Sequence, residues 1–182
     1  MRLANSYDTL TGLGADVTAL VVDPPARNAA FATRWQLPFA IRSDPGGEHY
    51  LKALDLWNDA ERGGIAKPAI IVVSPAGDIA YRFNSRDFAD RPASDDDIIE
   101  AVRSLGLDAI QPAEWSPGVA PEEDPSAFRV DLYGTYFRAI RFASMALSGR
   151  MKDPEDALEA RRMSAMTASF IDAWTQRKAA GG

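Results

Sequence analysis

The residue types that most often carry out chemistry in proteins are nearly missing from this chain. Its 182 residues include no cysteine and one histidine, His49. Without cysteine there are no disulfides, no thiolate metal ligands and no cysteine nucleophile. A single histidine rules out a histidine-rich metal site and disfavours a histidine-based triad. Since His49 follows a Gly-Gly turn, we expect it at the surface or half-buried. We predict no catalytic residue, no metal ligand, no cofactor-binding residue and no cofactor.

The acidic clusters are explained more simply by structure than by catalysis. Residues 95–97 are all aspartate and follow Ser94, which we predict to be the N-cap of a helix whose dipole favours acids in its first turn. A metal site is the less favoured interpretation, because three adjacent carboxylates on a helix point in different directions. Asp23 and Asp44 end strand-like segments, where open α/β sheets bind ligands, but turn and capping roles explain them as well.

Composition and charge exclude several classes of protein. The chain is 46% hydrophobic and 25% charged, as in soluble globular proteins, and has no apolar run of about eighteen residues that would span a membrane. Its net charge of -6 argues against nucleic-acid binding, and Arg138, Arg141 and Arg150 are expected to be solvated. The first eight residues lack the apolar core of a signal peptide, which indicates a cytoplasmic location.

Hydrophobic periodicity predicts a mixed α/β part followed by a helical part. The predicted helices of the first part cover residues 2–13, 26–35, 49–56 and 95–105. The predicted strands cover residues 17–22, 37–41, 69–73 and 79–83, and the last two form an antiparallel hairpin around the Ser-Pro-Ala-Gly turn at 74–77.

The second part of the chain has the pattern of a linker and two helices. Residues 108–126 contain four prolines, a composition typical of linkers. A helix over 128–147 follows, and Asp153-Pro154 offers an N-cap and a first-turn proline to a last helix. That helix carries an apolar stripe of Met163, Met166, Phe170 and Trp174, which indicates packing. The predicted domains are therefore 1–107, a Pro-rich linker at 108–126, and a C-terminal α-helical hairpin at 127–182.

Several phrases of the first part resemble the AhpC/TSA (peroxiredoxin-like) family of the thioredoxin-fold superfamily. In residues 14–57 a strand ends at Asp23, a helix follows, and then come the phrase Leu37-Pro38-Phe39 and the turn Ser43-Asp44. Residues 67–83, KPAIIVVSPAGDIAYRF, resemble the hairpin that follows in the family. The resemblance covers about residues 2–105. It implies an α/β, thioredoxin-like fold and a parent activity of thiol-dependent peroxide reduction.

The same resemblance implies what the chain lacks. The family's first core strand, its peroxide-reducing cysteine and the start of the catalytic helix would all lie before Met1, so the domain is expected to be incomplete and N-terminally truncated. The family's arginine falls at Pro68. Thioredoxin-like proteins without that arginine commonly have a cis-proline there, so we predict a cis Lys67–Pro68 bond facing the former active site. A trans proline at the first residue of a strand is the other interpretation.

Two function hypotheses follow. The missing strand would leave the strands at 17–22 and 69–73 with unpaired backbone groups, unless a partner segment completes the sheet or the two strands pair directly. The first hypothesis is an antioxidant, redox-family protein whose parent activity is that of an oxidoreductase, this chain being inactive for lack of cysteine. The alternative is a non-catalytic thioredoxin-like scaffold or interaction module that uses its hairpin to bind a partner or to form a homodimer. Neither hypothesis involves nucleic acid or a membrane.

Overall fold

The computed structural model describes residues 2–61, 63–85, 91–92, 94–118 and 129–181. Within these ranges the first part of the chain alternates short helices and strands, and the last part is helical. The helices are α1 Arg2–Asn5, α2 Tyr7–Gly12, α3 Pro25–Trp35, α4 Asp96–Ser104, α5 Tyr133–Ser148 and α6 Pro154–Gly181, with a 3-10 turn at Val130–Leu132 before α5. The strands are β1 Thr18–Val21, β2 Ala40–Ser43, β3 Trp57–Asn58, β4 Ile65–Ala66, β5 Ala69–Val73 and β6 Ile79–Asn84. Part of the predicted linker, residues 119–126, and the predicted helix start at 128 lie outside the described residues.

The strands form three separate pairs in the part of the chain that is described. β1 and β2 are parallel, with Thr18 opposite Ala40. β5 and β6 are antiparallel, with Ala69 opposite Asn84, which confirms the predicted hairpin. β3 and β4 form a short antiparallel pair. No strand ladder joins β1 to β5 in the described ranges, so the two strands do not pair with each other.

Two apolar clusters hold these pairs against the helices. The first joins α1 and α3 to the segment before β2, and its buried members are Ala4, Tyr7, Ala32, Trp35, Leu37 and Phe39. The second joins α2 and α4 to β5 and is centred on Leu10, Ile98 and Val102. Leu37 and Phe39 are thus core residues at the approach to β2, and Pro38 between them has no N–H to donate. The strand predicted at 37–41 consequently lies later in the chain, at Ala40–Ser43.

The helix predicted at 49–56 is wrong, because this segment forms consecutive turns. Asp44 explains the difference: its carboxylate accepts hydrogen bonds from the backbone N–H groups of His49, Tyr50 and Leu51. Asp55 then takes a positive φ of 55°, which stops any continuing helix. The capping role that the sequence suggested for Asp44 is confirmed.

The predicted N-cap of α4 is also wrong by one residue. The cap position belongs to Asp95 and not to Ser94, although the Ser94 hydroxyl does accept a 3.3 Å hydrogen bond from the Asp96 N–H. The Asp95 carboxylate is engaged elsewhere, with Arg2 and Ser6. The Arg2–Asp95 ion pair therefore joins the start of α4 to α1.

The Lys67–Pro68 peptide bond is trans, so the predicted cis-proline is wrong. The Lys67 N–H donates to the Leu56 carbonyl at 2.7 Å, and the Pro68 carbonyl accepts from the Ser85 N–H at 2.9 Å. Both bonds hold an extended chain that runs directly into β5. X-Pro bonds ordinarily favour the trans isomer by roughly 0.5–1 kcal/mol. The trans bond at Pro68 therefore needs no additional stabilising contact.

The two C-terminal helices pack against each other through aromatic side chains. The Tyr133 and Trp174 rings lie 6.0 Å apart, and the Phe137 and Phe170 rings lie 5.3 Å apart. Asp153 caps α6 by accepting from the Glu155 N–H at 2.8 Å, as predicted. None of the helices in the described ranges is long and apolar enough to cross a membrane.

Candidate functional site

A cleft of about 990 Å³ lies between the first and last strand pairs. All of β1 and all of β5 line it, whereas no residue of β2 or β6 does. Each of the two lining strands therefore faces the cleft with the edge that its own partner does not use. The order across this part of the molecule is β2, β1, cleft, β5, β6.

The cleft edges of β1 and β5 carry backbone groups without a strand partner in the described ranges. In any strand, alternate residues direct their N–H and C=O groups to opposite edges. One set on β1 bonds to β2 and one set on β5 bonds to β6, so the other set of each points towards the cleft. Unpaired edges of this kind are templates for another strand.

The walls of the cleft are apolar in part, and they also include the charged residues Arg2, Asp16, Asp23, Lys67, Arg91 and Asp95. Leu10, Ile98 and Val102 are almost fully buried and pack against Ile70 and Val72 of β5. The sequence at residues 17–22 and 69–73 contains no charged residue. The apolar part of the cleft is therefore the part formed by β1, β5 and this cluster.

The C-terminal helices close one side of the cleft. Tyr133 and Phe137 of α5 and Phe170 and Ala173 of α6 line it. Burial raises the pKa of Tyr133 to about 12, against the lowering effect of Arg91. Tyr133 is therefore a neutral phenol at physiological pH, and it adds neither a charge nor a base to the cleft.

Three of the charged residues that line the cleft interact with neighbouring side chains. Asp16 accepts from the Tyr7 hydroxyl at 2.7 Å, and Asp23 pairs with Arg27 at 3.2 Å. Lys67 lies 3.6 Å from the Asp55 carboxylate. No group of three or more metal-ligating side chains occurs among the described residues. The cleft contains no thiol, because the chain has no cysteine.

The residues singled out from the sequence divide between the cleft and other parts of the surface. Pro68 and Asp23 line the cleft. Asp44 does not: it is 1% exposed and caps the turns at 49–51. His49 is exposed and lies beside Tyr50, with ring centroids 6.3 Å apart.

Sequence reasoning missed the contribution of the C-terminal part to the cleft. The aromatic stripe at Phe170 and Trp174 indicated packing, but not which surface it would pack on. Arg2 also gave no local signal, since its partner Asp95 lies 93 residues away. A repeating pattern can indicate that a helix is buried, but it does not identify the surface that buries it.

Part of the chain matches a known protein family. Residues 1–82 match the model of the AhpC/TSA family. The matched segment contains both strands that bound the cleft and most of β6. A search of curated proteins finds no match to the chain.

Proposed function

We propose that the chain is part of a redox protein of the AhpC/TSA family, whose model matches residues 1–82, and that the reactive cysteine is supplied by another segment. The fold proposed is thioredoxin-like with its central strand position unfilled, followed by a C-terminal α-helical hairpin. The observation that carries the proposal is the cleft between the unpaired edges of β1 and β5. Both strands that bound the cleft lie within the matched segment.

The parent reaction needs an atom that this chain does not contain. In thiol-dependent peroxide reduction a thiolate sulfur attacks one peroxide oxygen, the O–O bond breaks, and the leaving oxygen takes a proton to become water or an alcohol. The sulfur is oxidised to a sulfenic acid, which a second thiol then reduces. The chain has no cysteine, and we propose that it does not turn over peroxide by itself.

A peroxide-consumption assay tests the proposal when it compares two proteins. The 182-residue chain, with dithiothreitol as reductant, should consume hydrogen peroxide no faster than buffer. The coding region upstream of Met1 is then inspected, and the chain is extended by any in-frame segment. We expect a strand followed by a cysteine-bearing helix start, and an extended protein that is active until that cysteine is replaced by serine. Reproducible turnover by the 182-residue chain, or an extension without cysteine, would overturn the proposal.

A second candidate function, a non-catalytic interaction module, is favoured by the exposed side of the C-terminal helices. Phe142 of α5 is 63% exposed and Leu158 of α6 is 60% exposed. Light scattering of the chain and of Phe142→Ser tests it: a dimer in the first and a monomer in the second would support the module. A monomer at all concentrations would argue against self-association.

A further inference from the structure

We propose that the outer face of α5 binds an acidic amphipathic helix of a partner protein. The outer face consists of six exposed residues, which are Leu132, Tyr136, Ala139, Phe142, Ala143 and Ala146. The inference rests on the second candidate function, the interaction module, because it names the partner of the same helical hairpin. It involves neither the cleft nor any redox chemistry.

The helix α5 is apolar on two sides, and α6 covers one of them. On the covered side Phe137 packs on Phe170, with ring centroids 5.3 Å apart. On the outer face Leu132 is 45% exposed, Tyr136 is 40% exposed and Phe142 is the most exposed of the three. Helices that are apolar on more than one side are normally covered on each of them. The outer face is therefore a surface on which another element can pack.

The spacing of the outer face favours a helix as the occupant. Its positions recur at intervals of four, three, four and three residues, at Leu132, Tyr136, Ala139, Ala143 and Ala146. This is the spacing of a seam along which two helices pack. The three alanines keep the seam shallow, so the backbone of a second helix can approach closely. A lipid bilayer gains instead from bulky apolar side chains, which the centre of this seam lacks.

The charge on one edge of the face specifies the partner's chemistry. Arg138 and Arg141 lie one helical turn apart beside Phe142, and both are exposed. They have no acid to pair with on their own helix, because α5 contains none. A partner helix with carboxylates one turn apart would pair with both arginines. A second copy of the same face would bring only more arginines to the contact, which favours a different, acidic protein.

The binding test uses a synthetic helical peptide as the probe. It has about twenty residues, enough to follow the length of α5, with leucines at intervals of four and three residues. Glutamates on both edges of the leucine stripe also keep the peptide from pairing with itself. A matched control peptide has lysines in place of these glutamates. Calorimetric titration into the full 182-residue chain should show one acidic peptide bound per chain, and binding of the lysine peptide that is about tenfold weaker or less.

Two sets of protein variants sharpen the test. Replacing both arginines, Arg138→Glu with Arg141→Glu, should reverse the preference, so that the lysine peptide binds more tightly than the acidic one. Ala143→Lys fills the middle of the seam and should weaken binding of the acidic peptide about tenfold. Ala165→Lys is its matched control, because Ala165 is an exposed alanine of α6 outside the outer face; it should leave the affinity unchanged. Circular dichroism verifies that all variants are folded.

Several outcomes would overturn the inference. These are equal binding of the two peptides, no binding to the folded chain, or a charge-reversed variant that still prefers the acidic peptide. A dimer that Ala143→Lys dissociates would assign the face to a second copy of the chain. Sedimentation of the chain with phosphatidylglycerol vesicles, lost in Ala143→Lys, would assign it to a membrane surface. The dimer would refute this inference and leave the interaction module standing, and none of these readouts measures peroxide turnover, so the proposals can fail separately.

Discussion

The guanidinium of Arg2 and the carboxylate of Asp95 form an ion pair in which Nη2 and Oδ1 are 2.8 Å apart. The pair is mostly buried, with side-chain exposures of 15% and 11%. The same guanidinium also donates to the Pro92 carbonyl at 2.7 Å and to the Ser169 hydroxyl at 3.2 Å. One side chain thus joins α1, the start of α4 and the middle of α6, which come from three distant parts of the sequence.

Replacing Arg2 should destabilise the whole molecule. Arg2→Met keeps much of the volume but leaves the Asp95 carboxylate partly buried without its cation, which we expect to cost about 2–3 kcal/mol of unfolding free energy. Urea denaturation followed by circular dichroism measures this loss. Arg138→Met is the control, because Arg138 is exposed on α5 and its loss should change stability by no more than about 0.5 kcal/mol. Equal effects of the two substitutions would show that the pair does not link the elements.

Asp44 should make the stability of the fold depend on pH in the acid range. Burial opposes ionisation of its carboxyl group, but hydrogen bonds from the backbone N–H groups of Leu51, His49 and Tyr50 outweigh it and hold the pKa below its ordinary value of 3.8. A lowered folded-state pKa contributes stability above the unfolded-state pKa, and this contribution is lost as pH falls through the folded value. Asp44→Asn keeps the shape and removes the ionisation.

The measurement for Asp44 is the urea midpoint as a function of pH. At pH 7 Asp44→Asn should unfold at a lower midpoint than the unmodified chain. The difference between the two proteins should narrow as pH falls below about 4, where the native carboxylate becomes protonated. A constant difference down to pH 2 would mean that the charge of Asp44 contributes nothing, and that only its hydrogen-bond geometry does.

Elements governed by local sequence were predicted well, and those governed by distant contacts were not. The β5–β6 hairpin follows from a β-branched run and a Ser-Pro-Ala-Gly turn, both of which act within a few residues. The turns at 49–56 begin with hydrogen bonds to the Asp44 carboxylate, and Asp95 at the start of α4 pairs with Arg2. No periodic pattern encodes either contact.

The candidate site was likewise predicted only in part from the sequence. The sequence, through its resemblance to a family, led to the expectation of unpaired edges on the strands at 17–22 and 69–73. In the structure β1 and β5 belong to separate two-stranded sheets and both line the cleft, and the incompleteness of the fold stays a prediction. Its closure by Tyr133, Phe137 and Phe170 was not predicted, because the packing of α5 and α6 on the first part is set by tertiary contacts alone. Pro68 lines the cleft, but its peptide bond is trans and not cis as predicted.

Gly134, the one glycine in α5 Tyr133–Ser148, should be sensitive to substitution. A Cβ atom at this position would lie 2.7 Å from the Trp174 ring, so α5 and α6 approach closely only because no side chain intervenes. Gly134→Ala should cost about 1–3 kcal/mol from overpacking, despite the better helix propensity of alanine. Gly12→Ala is the matched control, since a Cβ atom added to Gly12 of α2 would have no neighbour within 4 Å. Gly12→Ala should stabilise the chain by about 0.5 kcal/mol. Thermal unfolding of both variants measures whether the two substitutions change the stability in opposite directions.

Tyr7 and Tyr133 should both resist ionisation well above pH 10. Burial raises the pKa of each phenol to about 12, and for Tyr7 the hydrogen bond to Asp16 adds to the effect. Because both folded-state values exceed the ordinary value of 10.0, the neutral forms contribute stability below pH 10 that is lost as pH rises towards 12. Ultraviolet difference absorbance at pH 11 should therefore be nearly the same for the unmodified chain and for Tyr133→Phe. In urea, Tyr133→Phe should lower the absorbance by the full signal of one tyrosinate. The same loss of absorbance in the folded protein would contradict the prediction, because it would show that Tyr133 is open to solvent and that α5 does not cover the cleft.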